Sequence, residues 1–358
     1  MVRLKFITMK RISILFILIV SMFHFSCKDD ELRFDDFDYT TVYFPFQYPV
    51  RTLVLGDYIF DNANDNDLKF KISARVGGMY ENNKDWEIKF QIDQSLVADL
   101  ITNENDWDGK SESSADTLKI LPPQYYSLDS EETILIPRGE FFGGVTVQLN
   151  EAFFNDPNAY KTHYVLPLKI LSSSADSVLS GLAGVDSPDP RIGSDWTITP
   201  KNFTVFGIKF VNEYHGKYLH RGKSVIKDAT GEVVHTIVYR KKYVEQDELW
   251  SLYTNGRKQV KLTGELRSIP ESPGNFEMNL LFDNQGNCVI SSTDNSNFSI
   301  SGNGKFVKNG DMWGGKERDV IFLNYDVNEG ENTHSISDTL VFRDKGVAFQ
   351  EYSPVIMN

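Results

Sequence analysis

The side chains with the most specific chemistry to offer in this chain are aromatic. Trp107 lies in a polar stretch beside Asn105, Asp106 and Asp108, and Trp313 lies in AsnGlyAspMetTrpGlyGly (309–315). An exposed ring can cover the C–H face of a sugar while neighbouring Asn, Asp or Arg groups bond its hydroxyls. Glycine beside such a ring lets a ligand approach the backbone. Trp250 and Tyr253 stand in a strand-like run, LeuTrpSerLeuTyr (249–253). Their three-residue spacing puts them on opposite faces, so one is expected in a core. Sugar binding at Trp313, Trp107, Trp250 and Tyr253 is the chemistry these residues suggest. Trp86 alternates with Ile88, Phe90 and Ile92 and is expected to be core.

Catalytic patterns are missing from the chain. It has no HExxH, no GxSxG, no Walker loop and no GxGxxG after a strand. His215 and His220 are five apart at a strand start, which places them on opposite faces and argues against a shared zinc ion. AspAsnAlaAsnAspAsnAsp (61–67) is calcium-like in composition. It lacks the glycine at position six and the closing glutamate of an EF-hand, and reads as a solvated loop. Glycoside hydrolysis needs two carboxylates at a defined separation, and 50 Asp and Glu residues offer no signature that selects a pair. No catalytic residue, metal site or cofactor is expected. Cys288, in the strand-like AsnCysValIleSer (287–291), has no base beside it and reads as a small buried hydrophobe.

The N-terminus speaks to location. Lys10 and Arg11 precede an apolar run, 12–23, followed by Ser26 and Cys27. A run of about 12 residues is too short to cross a bilayer of ~30 Å as a helix, and its flanks are those of a secretory signal. Cysteine directly after a small residue looks like a lipoprotein signal, in which the Cys27 thiol carries diacylglycerol, palmitate-like chains lodge in the membrane, and Cys27 becomes the mature N-terminus. Lys28, Asp29, Asp30 and Glu31 then resemble the acidic export signal of Bacteroidetes surface lipoproteins. Met9 gives a more compact start to this signal than Met1.

The formal charge is −13, and loss of residues 1–26 removes Arg3, Lys5, Lys10 and Arg11 and no acid. Such a surface repels phosphate backbones, so nucleic acid is not an expected partner. An anionic polysaccharide would need a local basic patch. Residues 27–40 are acidic and poor in apolar area, and read as a tether. What remains is long enough for two domains.

From Thr41 the pattern is that of strands. Leu68, Phe70, Ile72, Ala74 and Val76 share one face of a strictly alternating run, as do Trp86, Ile88, Phe90 and Ile92. Further runs fall at 133–136, 145–149, 164–170 and 203–211. Pro167 marks 164–170 as an edge or bulged strand. Many short strands with almost no helix predict a β-sandwich over 41–212. From 213 to 358, strand candidates recur at 217–220, 232–239, 248–253, 259–263, 276–282, 288–292, 298–301, 304–308, 319–325 and 335–343. Asn- and Gly-rich turns, including Asn303-Gly304 and Asn309-Gly310, separate many of them. An antiparallel up-and-down barrel of about eight strands is the economical arrangement, because closure removes exposed edges. The fold class expected is therefore all-β.

The phrases ThrValTyrPhe (41–44), LysIleSerAlaArgValGlyGly (71–78), PheGlnIleAspGlnSerLeuVal (90–97), LeuProProGlnTyrTyrSerLeu (121–128), IleProArgGly (136–139) and TyrValLeuProLeuLysIle (164–170) resemble the immunoglobulin-like N-terminal domain of Bacteroidetes surface lipoproteins associated with polysaccharide utilisation. The second half is similar to the lipocalin-like barrel that follows that domain in some of them, and GlyLysTyr (216–218) is similar to a lipocalin-type strand start. The resemblance implies an outer-membrane lipoprotein facing the exterior, a non-catalytic role, and an oligo- or polysaccharide and neighbouring outer-membrane uptake proteins as partners. A structural or adhesive spacer and a lipocalin-like binder of a small apolar ligand are the alternatives. A sugar binder should show a row of exposed rings, and a lipocalin-like binder a hollow barrel. AspThrLeu (116–118), AspSerVal (176–178) and AspThrLeu (338–340) resemble the Bacteroidetes O-glycosylation sequon, with Thr117, Ser177 and Thr339 as acceptors.

Overall fold

The computed structural model describes residues 37–102, 116–268 and 271–357. Cys27 and Trp107 lie outside the described residues. Alternation of apolar and polar residues dominates the first half and produces the strands β1 (Thr41–Tyr43), β2 (Pro49–Val54), β3 (Lys69–Gly77), β4 (Trp86–Ile92), β5 (Thr133–Ile136), β6 (Phe142–Leu149), β7 (Tyr164–Ser173) and β8 (Phe203–Val211). The two α-helices among the described residues have four residues each.

Two sheets form a sandwich. One is built on β1, β3 and β6, the other on β2, β8, β7, β4 and β5 in that order. Phe70, Ile72, Val145 and Val147 are buried from the first, and Ile88, Phe90, Leu166, Leu168 and Ile170 from the second. Phe70 and Phe206 stack across the gap at 5.7 Å. Each such side chain contributes roughly 1.5–3 kcal/mol when fully buried. Trp86 is core, and its indole N–H donates to Asn82 Oδ1 at 2.7 Å.

Pro167 does not put β7 at an edge. β7 is paired with β8 along one side and with β4 on the other. The pairing with β4 begins only at Leu168, and the Pro167 carbonyl accepts from Asp93 N at 3.1 Å beyond the end of β4. The missing N–H therefore faces a gap in the ladder, and a bulge follows between Ile170 and Ser172.

The second half is a closed barrel. Its strands are β9 (Gly216–Lys227), β10 (Val233–Tyr239), β11 (Glu248–Thr254), β12 (Gln259–Leu266), β13 (Gly274–Phe282), β14 (Asn287–Ser292), β15 (Ser299–Trp313), β16 (Lys316–Glu329) and β17 (Asn332–Asp344). Eight of them close antiparallel, with β17 returning to β9, and β10 pairs beside them with the later part of β9. The turn expected at Asn303-Gly304 is absent, and 299–301 and 304–308 belong to one continuous strand, β15. Its glycines serve closeness instead of turning. A Cβ on Gly302 would lie 2.3 Å from Asn324 O, and one on Gly304 would lie 2.6 Å from Phe322 O. The interior is filled by Trp250, Leu252, Leu262, Phe276, Met278, Leu280 and their neighbours. Cys288 is buried there, and burial pushes its thiol up to about 12.

After Asp344 the chain leaves the barrel, although the recurring strand pattern assigns everything from 213 to 358 to it. Strand β18 (Gln350–Glu351) pairs with β2, and β19 (Pro354–Ile356) pairs with Leu100–Thr102. Tyr352 anchors this tail by its hydroxyl, which donates to Val205 O at 2.8 Å.

The turn between β8 and β9 carries a buried imidazole. Thr254 N donates to His215 Nδ1 at 3.1 Å. Burial, with Lys345 and Lys209 nearby, pushes the His215 pKa down to about 3. The folded ring stays neutral while the unfolded one protonates below about 6.5. Stability is thus fully present above pH 6.5 and is lost as pH falls toward 3, with a limit of about 5 kcal/mol. Urea midpoints measured from pH 7 to pH 4 should fall more steeply for the wild type than for His215→Gln. Parallel slopes would refute this role.

Candidate functional site

Three separate segments bring aromatic rings together on the sandwich. Phe46 follows β1, Tyr58 and Phe60 come from the loop after β2, and Phe349 precedes β18. They line a cleft of about 570 Å³ with Arg51, Asp61 and Asn62. Phe46, Phe60 and Phe349 are 44%, 66% and 65% exposed. Phe46 and Phe349 lie 5.0 Å apart, centroid to centroid, and Tyr58 meets Phe60 edge-on at 5.5 Å. Exposed rings in contact with one another form an apolar platform rimmed by polar groups, a shape suited to pyranose faces.

The acid-rich run 61–67 is the scaffold of this platform. Asn62 Nδ2 donates to Val54 O at 2.8 Å and Gly56 O at 2.7 Å. Gly56 adopts φ +79°, a turn open to glycine, and its N–H donates to Asn66 Oδ1 at 2.9 Å. Asp65 is buried, accepts from Val54 N at 2.9 Å and pairs with Arg51. Burial outweighs those bonds and raises the Asp65 carboxyl above the usual carboxylate range. One carboxylate of the run that is calcium-like in composition is thus spent on holding the loop.

The tryptophans expected to bind sugar do not form this cleft. Trp313 ends β15 and folds onto the outer wall of the barrel, against Leu219, Val320 and Val341. Its indole N–H donates to Phe342 O at 3.1 Å, and the Arg318 guanidinium lies 4.4 Å from the ring centroid. Trp250 is 9% exposed and stacks on His220 at 3.5 Å inside the barrel, which removes it as a platform. Tyr253 points the other way, half-buried, 6.0 Å from the His215 ring. Thr117 is exposed opposite Ile101. Ser177 pairs beside Thr41, while Asp176 accepts from Thr40 N and Oγ1 at 2.8 and 2.7 Å. Thr339 sits mid-ladder between Arg221 and Phe322. No two of these six residues meet.

Two family models match the chain. A domain of unknown function, DUF5627, matches residues 213–346, and a "-like, N-terminal domain" matches residues 37–177. A crystal structure of a structural-genomics protein of unknown function from Bacteroides ovatus is 35% identical, with 90% of this chain and 100% of that chain covered and a TM-score of 0.81. The molecule is an all-β protein of a sandwich followed by a closed barrel. It belongs to the family of that Bacteroides ovatus protein. A multidomain protein including DUF1735 from Bacteroides ovatus is 13% identical over 85% of this chain and 95% of its own, with a TM-score of 0.41. An auxiliary nutrient binding protein from Bacteroides thetaiotaomicron is 13% identical over 82% and 90%, with a TM-score of 0.39. No curated protein matches.

Asp65→Ala leaves the Val54 N–H and the Arg51 guanidinium without their acceptor. A loss of about 1–3 kcal/mol in denaturant unfolding is expected. Faster amide exchange at Val54 should accompany it, and an unchanged midpoint would count against the scaffold role.

Proposed function

We propose that this protein is a non-catalytic, lipid-anchored surface protein that holds oligosaccharide against the cleft formed by Phe46, Tyr58, Phe60 and Phe349. The observation that carries this reading is the set of exposed rings, in pairwise contact and rimmed by Arg51, Asp61 and Asn62. Rings left in water are costly to maintain unless a partner covers them, and a pyranose C–H face covers them while its hydroxyls reach the rim. The filled barrel interior offers no hollow for an apolar ligand, which disfavours the lipocalin-like reading. A pure spacer has no use for the rings. The Cys27 signal and the acidic residues after it support delivery to the outer face of the outer membrane, beside an uptake system for the same glycan.

Affinity electrophoresis through polysaccharide gels tests the binding. One glycan should retard the wild type, and Phe60→Ala or Phe349→Ala should abolish the retardation, whereas Trp313→Ala should not. Equal migration of wild type and variants in every gel would favour the spacer. For the anchor, cells fed radiolabelled palmitate should label the wild type and not Cys27→Ser; label in both would remove it.

A further inference from the structure

The chain is acidic overall, yet Arg240, Lys241 and Lys242 stand in a row directly after β10. That row sits at a fork in the barrel wall. β9 pairs with β11 up to His220 and with β10 from Gly222 onward. Where β10 and β11 part, a cleft of about 400 Å³ opens, with His220 among its lining residues and Arg240 and Lys241 beside it.

The buried wall of this cleft is polar. His220 is 1% exposed, with Nε2 3.2 Å from Asp338 Oδ2 and Nδ1 3.6 Å from Glu248 Oε1. Both are ion-pair contacts, so the buried imidazole is held between two carboxylates. Asp338 accepts from the Tyr325 hydroxyl at 2.8 Å and from Tyr239. Space for this cluster is reserved by Gly222, whose Cβ would lie 2.1 Å from Asp338 Oδ1.

Charge in the cleft is unevenly matched. Glu248 faces His220 and pairs with Arg267, and these contacts hold its carboxyl down to about 2. Asp247 is matched by Arg221 at 2.5 Å and by Lys241 N at 2.7 Å. Arg240 and Lys241, both exposed, make no side-chain ion pair among the described residues. The cleft thus offers two uncommitted cations beside hydrogen-bond acceptors.

We propose that this fork is a second binding site, one that takes the carboxylate of a uronic acid. Arg240 and Lys241 meet the carboxylate through charge-assisted bonds, while the exposed Glu248 carboxylate accepts from a ring hydroxyl. A cleft of this size suits a sugar ring better than a bare ion. Phosphate, which presents mainly acceptors and more charge, would leave the exposed Glu248 carboxylate without a hydroxyl donor. The site lies on a different half of the molecule from the aromatic cleft, and it stands whether or not that cleft binds.

Saturation-transfer NMR and calorimetry on the purified protein test it, with glucuronate, galacturonate, glucose, galactose and inorganic phosphate as probes. At least one uronate should bind with a Kd of about 1 mM or below. The hexoses and phosphate should bind at least about tenfold more weakly. Arg240→Ala with Lys241→Ala should weaken the uronate about tenfold or more at an unchanged thermal midpoint, since both side chains are exposed. Phe60→Ala should leave it unaffected. No uronate binding, equal binding of hexose or phosphate, wild-type binding by the double variant, or loss in Phe60→Ala would each overturn the proposal.

Discussion

The arrangement of this molecule depends on how the chain enters and leaves its barrel, and both events are fixed at one asparagine. Asn212 Nδ2 donates to Gly256 O and Gln259 O at 3.0 and 2.8 Å, and its backbone N–H donates to Thr254 Oγ1 at 3.0 Å. At the exit, Lys345 Nζ reaches back to Asn212 O at 3.3 Å and Glu213 O at 2.6 Å. Burial pushes that ammonium down to about 8, so it is held by carbonyls in place of a carboxylate partner. Phe349 lies beside Phe46 four residues after Lys345, and the pairing of β18 with β2 and the Tyr352 hydroxyl hold the chain just beyond it. The aromatic cleft thus draws one of its rings from the segment that leaves the barrel.

Much of the fold was legible because period-two alternation is a local signal. β3, β4 and most barrel strands follow it, and closure followed from the number of strands and the absence of helix. Readings that failed were those where one residue type serves two purposes. Asn303-Gly304 looks like a turn, yet Gly304 is needed for close approach inside β15. Pro167 suggests an edge or a bulged strand; the strand is bulged, yet it is central, with Pro167 at a gap in its ladder.

The site was less legible than the fold. Its rings are phenylalanines and a tyrosine drawn from residues 46 to 349, and no local pattern links them. The one available hint was TyrIlePhe (58–60), an apolar triplet between Asp57 and Asp61 that fits neither helix nor strand period. Tryptophans drew the sequence argument because they are the better sugar platforms in principle. Trp313 and Trp250 instead found partners on and in the barrel, as a ring with a polar N–H often does. The acid-rich run 61–67 likewise looked solvated, because burial of Asp65 requires Arg51, which lies outside the run on β2.

The path of the tail gives the molecule a nested construction. β8 leads into the barrel, and β18 returns to the other side of β2, so the barrel is a module inserted within a sandwich that is still incomplete when the barrel begins. Synthesis delivers β18 and β19 last. The sandwich can add these strands, and the Phe46–Phe349 contact can form, only after the whole insert has been made. The barrel, entering and leaving at one point, is also the part of this architecture that can be exchanged for another module without unpicking the sheets around it.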